Sequence, residues 1–367
     1  MPAQKDRPPP AANKTLNAII LILKWLYTKK PLGEHIEDHR LNNFGLIRLL
    51  AAFLVMETHS HLLSRQDGYY LHAYHISYLG LPSFFFLSGL LVTQSLYRSS
   101  SWKNFCWRRF LRVYPGAIAA ILITALLVGP VVSTSSLGDY FSSPVLYQYL
   151  ESCSLIHINF LLPGVFKDSV LKTASVNASL WTVSLEIKLY IALLLAWMLK
   201  WPGRRIGLLI LIAILISASF LIKKDAFGHM ALPYLTYGVQ FLSGVLCYLY
   251  RDKILIRGYW LIILPLAFAL SGWLHIYSLT AYLLIPALVL FTATYGLTWT
   301  KKITPKADLS YGIYLYAFPV QQLVANYLHP ASPLILFLTT ALATLIPATL
   351  SWYVVEKRAL RLKRRIP

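Results

Sequence analysis

FGLIRLLAAFLVMETHSHLL, residues Phe44 to Leu63, decides how the rest of the chain is read. The run has the length a helix needs to cross a bilayer, roughly 20 residues. It nonetheless carries Arg48, Glu57, His59 and His61. Charged and titratable groups inside a membrane are costly and mark a functional site by default. At about 100° per residue, the eleven steps from Arg48 to His59 bring the second side chain within about 20° of the first, roughly 16 Å further along the axis. The two share one helix face, Arg48 near one membrane surface and His59 deeper. His61 lies about 140° from Arg48 around the helix. Glu57 shares a face with His61 four residues on, which predicts a structural pair.

Composition agrees with a membrane protein. Of 367 residues, 57 % are hydrophobic and only 13 % charged, and a mean hydropathy of +0.57 excludes an ordinary soluble globule. A formal net charge of +20 would suggest nucleic acid in a soluble domain. Here the basic residues lie between apolar runs instead of forming one basic face, so no nucleic-acid partner is expected. The three cysteines, Cys106, Cys153 and Cys247, have neither disulfide nor metal-ligand spacing, so no metal site is expected. The opening MPAQKDRPPPAANK reads as a disordered tail without a cleavable signal. Leu16–Tyr27 reads as a short interfacial helix, followed by the charged connector KKPLGEHIEDHR.

The rest predicts an all-α, polytopic bundle of about ten transmembrane helices, at 44–63, 79–97, 113–132, 180–200, 205–222, 231–250, 258–274, 278–297, 309–328 and 334–355. With both termini cytoplasmic, 27 of the 34 Lys and Arg fall on the cytoplasmic side and five on the other. That asymmetry is hard to reach with a wrong span count. The chain divides into 1–40 (tail, interfacial helix and connector), a transmembrane domain at 41–357, and a basic cytoplasmic tail at 358–367. The long connection from Ser133 to Ser179 is expected on the outer side, where part of it roofs a cavity.

Three further stretches concentrate polar groups. WRRFLRVYP, residues Trp107 to Pro115, sets Arg109 and Arg112 on one helix face with Arg108 beside them. Positive-inside anchoring accounts for such a block, but guanidinium is also the group that grips phosphate in bidentate fashion. SLWTVSLEIKLY, residues Ser179 to Tyr190, places Glu186 and Lys188 where neither can pair with the other. Glu186 is read as facing a cavity, with Trp181 as interface anchor or cavity wall. DLSYGIYLYAFPVQQ, residues Asp308 to Gln322, offers Tyr311, Tyr314, Tyr316, Gln321 and Gln322. A helix break at Pro319 and two intramembrane amides predict a polar lumen there. Ser88 and Gly89 in LPSFFFLSGLL permit close helix packing beside the cavity, and the FLSG repeat at Phe241 to Gly244 reads as a second packing contact. Glu356 is expected to pair with Lys357 or Arg358.

Arg48-x10-His59, FFFLSG, RRFLRVYP, SLWTVSLEIKLY and SYGIYLYAFP follow in an order and spacing that resembles the membrane-bound acyltransferase 3 family from about Leu41 to Lys357. The resemblance implies an integral inner-membrane O-acyltransferase that moves acetyl, or another short acyl group, from cytoplasmic acetyl-CoA to a hydroxyl of a cell-surface polysaccharide. It implies a catalytic His59 with Arg48, and cofactor-binding Arg108, Arg109 and Arg112. Glu186, Trp181, Tyr314 and Ser88 are the expected substrate-cavity residues. His59 would act as base toward the hydroxyl or form a transient acyl-imidazole. The partners implied are a carbohydrate acceptor, membrane lipid and other surface-polysaccharide proteins. Many members carry a histidine after the tyrosine–leucine pair of the ninth span; this chain has Ala317. The rival reading is a transporter or flippase, whose usual internal duplication is not found here.

Overall fold

The computed structural model describes residues 29–38, 41–64, 70–71, 74–75, 79–166, 175–200, 205–221, 231–274, 277–294 and 307–365. The tail and the expected Leu16–Tyr27 helix lie outside them. Each of the ten apolar runs holds a helix among the described residues. In chain order these helices are α2 (Phe44–Ser64), α3 (Gly80–Tyr97), α4 (Trp102–Val132), α7 (Leu180–Met198), α8 (Arg205–Leu221), α9 (Ala231–Leu249), α10 (Trp260–Trp273), α11 (Tyr277–Thr294), α12 (Ser310–Tyr327) and α13 (Pro333–Arg361). A shorter helix, α1 (Leu32–Glu37), precedes them, and α5 (Leu137–Ser142) and α6 (Pro144–Glu151) lie in the long connection. Among the described residues, α2, α4, α7 and α13 are the four long and apolar enough to cross a membrane by length and composition.

Two short antiparallel ribbons accompany the all-α bundle. Lys29–Pro31 pairs with Leu255–Arg257, and Tyr70–Leu71 with Tyr74–His75. The first ribbon seats the connector: Leu32 and Ile36 of α1 are buried in a cluster with Phe44, Phe268 and Val289. What reads as a charged linker is anchored by its two apolar residues.

The tightest helix pair is α3 against α9, and glycine explains it. A Cβ on Gly89 would stand 1.9 Å from the carbonyl oxygen of Phe241, and one on Gly244 would stand 2.1 Å from that of Phe86. The two FLSG runs therefore meet each other. Each glycine lets the partner backbone approach where no side chain fits.

In α12 the expected break at Pro319 does not occur. Proline has no N–H to give the carbonyl four residues back, which is that of Leu315. The buried Asn177 side chain, from the long connection, donates to that carbonyl at 2.9 Å. With this acceptor satisfied, the helix continues to Tyr327. Gln321 and Gln322 do not line a lumen either. Both are fully buried: Gln321 donates to the Met56 carbonyl at 2.7 Å and to the Ser60 hydroxyl at 2.8 Å, and Gln322 donates to the Ser175 carbonyl at 2.7 Å. These amides tie α12 to α2 and to the connection, because in an apolar interior a side-chain amide must find a protein partner.

Two π-helical turns interrupt the longest helices. Thr124–Val128 in α4 leaves the Ala125 carbonyl to Tyr140 of α5, which donates to it at 2.7 Å. Trp352–Glu356 in α13 is the second. There Glu356 is 3 % exposed, and it accepts from Ser351 at 3.0 Å instead of pairing with Lys357 or Arg358. The extra residue in the turn rotates the carboxylate inward, toward Gly116 of α4.

Candidate active site

Two recesses open between the helices and meet at a shared wall. The inner one, about 810 Å³ including its mouth, lies among α2, α3, α4, α7 and α12. Phenylalanines and leucines of α3 make most of its apolar lining, and Ser88, Thr182, Glu186, Tyr190 and Tyr314 supply its polar groups. The second, about 850 Å³ with its open side, is a vestibule at the helix ends where the basic residues collect. Arg48, Leu91, Arg109 and Arg112 line both.

Asp308, immediately before α12, organises that wall. Arg48 Nη2 and Arg112 Nη2 both donate to its Oδ2, at 3.0 and 2.7 Å, while Ser310 donates to Oδ1 at 2.6 Å. Burial pushes the Asp308 carboxyl up, but Arg112 and Arg48 outweigh it and hold the group well below the usual carboxylate range. Arg48 is thus a paired residue, held in place from α12. Arg109 donates to the Ser95 hydroxyl at 3.2 Å, a partner that is no carboxylate. Asp308 escaped the sequence reading, although it is a lone acid following the basic stretch KKITPK.

Inside the inner recess, Ser88 donates to Glu186 Oε1 at 2.5 Å and Tyr190 donates to the same oxygen. Tyr190 also went unread, though it stands four residues from Glu186 and so on the same face. Tyr314 bonds the Thr182 hydroxyl, and Phe84 stands edge-on to its ring at 5.4 Å. Glu186, Ser88 and Tyr314 line the recess. Trp181 does not: it packs against the rings of Tyr234 and Tyr237 at 5.9 and 5.8 Å. Being five residues from Glu186, it falls on another face of α7. Lys188 finds its partner outside the recess, over the Tyr234 ring at 5.9 Å.

His59 lines neither recess. Its ring stands edge-on to Phe318 of α12 at 5.0 Å, and its Nδ1 is buried without a hydrogen-bond partner among the described residues. Arg48 and His59 follow one face of α2, but α12, hooked to Met56 and Ser60 through Gln321, covers the far half of that face. Glu57 and His61 form the expected pair, at 2.8 Å.

The inner recess is apolar and hydroxyl-studded, and arginines form the wall between it and the vestibule. The chain belongs to the acyltransferase 3 family, whose acyltransferase-domain model matches residues 41–352. It is an acyltransferase of membrane character. It is 28 % identical over 334 residues to the O-acetyl transferase of Shigella phage Sf6, covering 88 % of this chain and 97 % of that one. It is 27 % identical over 358 residues to nodulation protein 10 of Rhizobium leguminosarum bv. viciae, covering 91 % and 96 %. No solved structure matches the chain. The family answers the transporter reading in favour of acyl transfer.

Proposed function

We propose that this protein is an inner-membrane O-acetyltransferase that carries an acetyl group from cytoplasmic acetyl-CoA to a hydroxyl of a surface or exported carbohydrate. The observation that carries this reading is the confluence of the two recesses at Arg48, Arg109 and Arg112. A donor with a polyanionic head and a narrow uncharged arm fits a basic vestibule that leads into an apolar recess. The relative named as an O-acetyl transferase supports acetyl as the group. All ten apolar helices are taken as spans, with the vestibule and both termini on the cytoplasmic side, where the basic residues collect.

In this reading Arg108, Arg109 and Arg112 hold the donor's phosphates, and the pantetheine arm enters the inner recess. Arg48, fixed by Asp308, faces the arm. His59, roughly 16 Å further along α2 by helix geometry and outside both recesses as the helices stand, is assigned the proton of the acceptor hydroxyl on the family resemblance. The hydroxyl oxygen attacks the thioester carbonyl, the carbon–sulfur bond breaks, and the thiolate leaves and recovers a proton as free CoA.

Purified protein in nanodiscs, supplied with acetyl-CoA labelled in the acetyl group and a surface glycan, should label the glycan. His59→Ala should reduce labelling by about 10³-fold, the scale of losing a general base, while the variant still elutes as a folded species. Retained labelling would remove His59 from the chemistry. Comparing the acetyl content of surface polysaccharide from cells with and without the protein identifies the acceptor.

A further inference from the structure

Among the described residues, the vestibule holds more basic side chains than carboxylates to pair with them. Six basic side chains line it, Arg48, Arg98, Arg108, Arg109, Arg112 and Lys363, against the single carboxylate of Asp308. Asp308 is already shared by Arg48 and Arg112. Arg98 reaches Glu37 only at the rim, at 3.5 Å with both side chains about half exposed or more. Arg108, Arg109 and Lys363 have no carboxylate at ion-pair distance among the described residues, and the Nε atoms of Arg48 and Arg109 are buried without a hydrogen-bond partner. Uncompensated cations in a half-enclosed recess repel one another unless an anion joins them.

The cations fall into two sets. Arg48, Arg109 and Arg112 line both recesses, whereas Arg98, Arg108 and Lys363 line the vestibule alone. Lys363 arrives from the end of the chain. After the π-helical turn at Trp352–Glu356, α13 runs to Arg361 and a last turn, Leu362–Arg365, lays its lysine beside α4. Read by itself, the tail is a run of positive-inside anchors. Folded, it is a wall of the vestibule.

We propose that Lys363, with Arg108 and Arg98, binds the 3′-phosphate at the nucleotide end of the donor, so that the C-terminal tail is part of the donor site. This rests on the donor reading above. A coenzyme A molecule whose arm fills the inner recess places its pyrophosphate at the shared arginines. Its remaining phosphate, on the ribose, then lies further out, where the vestibule-only cations stand. The shared chemistry is an anionic phosphate, a monoester on the ribose, and the phosphodiester of an anionic lipid headgroup is the other source of phosphate at a membrane surface.

The test is binding of CoA and of dephospho-CoA, which lacks only the 3′-phosphate, to the full-length protein in phosphatidylcholine nanodiscs by titration calorimetry. Wild type should bind CoA at least about tenfold more tightly, the range of one charged hydrogen bond. Lys363→Ala and Arg108→Ala should each shrink that preference severalfold by weakening CoA and sparing dephospho-CoA, while Lys363→Arg keeps it. Equal losses for both nucleotides, or an unchanged preference in Lys363→Ala, overturns the proposal. If wild type binds neither nucleotide, the donor reading itself falls and this assignment falls with it. Repeating the titration with phosphatidylglycerol separates the two sources. A preference that persists keeps the nucleotide, and one abolished by the anionic lipid assigns the vestibule to headgroup phosphate.

Discussion

Asp308 carries two guanidiniums on one carboxylate oxygen, and removing it would leave both without their counter-charge at the joint of the two recesses. Asp308→Ala is expected to cost about 2 kcal/mol, below the range of a fully buried pair because the group is partly exposed. A lower thermal midpoint in detergent and a higher KM for the donor would show it. The sign with pH follows from the depressed pKa: this stabilisation is complete above the ordinary carboxylate pKa, about 4, and is lost only as pH falls further. It leaves the neutral range untouched. Lys363 behaves oppositely. Burial first, then Arg109, Arg112 and Arg108, pull its ammonium down to about 7. The groups facing it around the vestibule are Arg48 from α2, Arg98 from α3, the three arginines of α4, and Asp308. An anion needs the protonated lysine, so CoA affinity should be highest below pH 7 and fall as pH rises through it. In Lys363→Arg, which stays charged, the fall should flatten; an equal slope in both proteins would remove Lys363 as its source.

At the scale of elements, the bundle depends on two contacts that a double-mutant cycle can read. Asn177→Ala strands the Leu315 carbonyl, at a cost of about 1–3 kcal/mol. Pro319→Ala returns an N–H to that carbonyl from within α12, so the double variant should regain much of the loss in thermal midpoint. Simple additivity would show that Asn177 acts elsewhere. For α3 and α9, Gly89→Ala and Gly244→Ala should each lower the yield of monodisperse protein, because either methyl group drives the same two backbones apart. The pair together should cost less than the sum, since one separation accommodates both. Pro319 and the FLSG repeat were visible as residues, but their effect was not. Whether proline breaks a helix depends on what meets the freed carbonyl, and that partner comes from 138 residues away.

For the whole molecule, the basic asymmetry sets the expected orientation, and cysteine labelling can check it. With the native cysteines replaced, a cysteine at the exposed Gly138, where an added Cβ meets only Ser136 Oγ at an ordinary 3.9 Å, should react with an impermeant maleimide on intact cells. One at the exposed Ser100 should react only after the membrane is opened. The reverse pattern would place the vestibule outside and remove the cytoplasmic donor.

Local chemistry carried the sequence reading as far as the helices, their apolar runs and the basic ends of several. Hydropathy and charge act over single segments, so one chain suffices to read them. The same locality found Arg48, Arg109, Glu186 and Tyr314, each a polar group that an apolar helix does not need. The tertiary structure alone decided which of these share a cavity. It gave Arg48 to Asp308 across 260 residues, set His59 against Phe318, turned Trp181 away, and brought Lys363 to α4. FGLIRLLAAFLVMETHSHLL states that one face of α2 bears an arginine and a histidine. Only the helix packed on that face determines that one of them meets the inner recess and the other lies beyond it, because a face has no function until another surface closes on it.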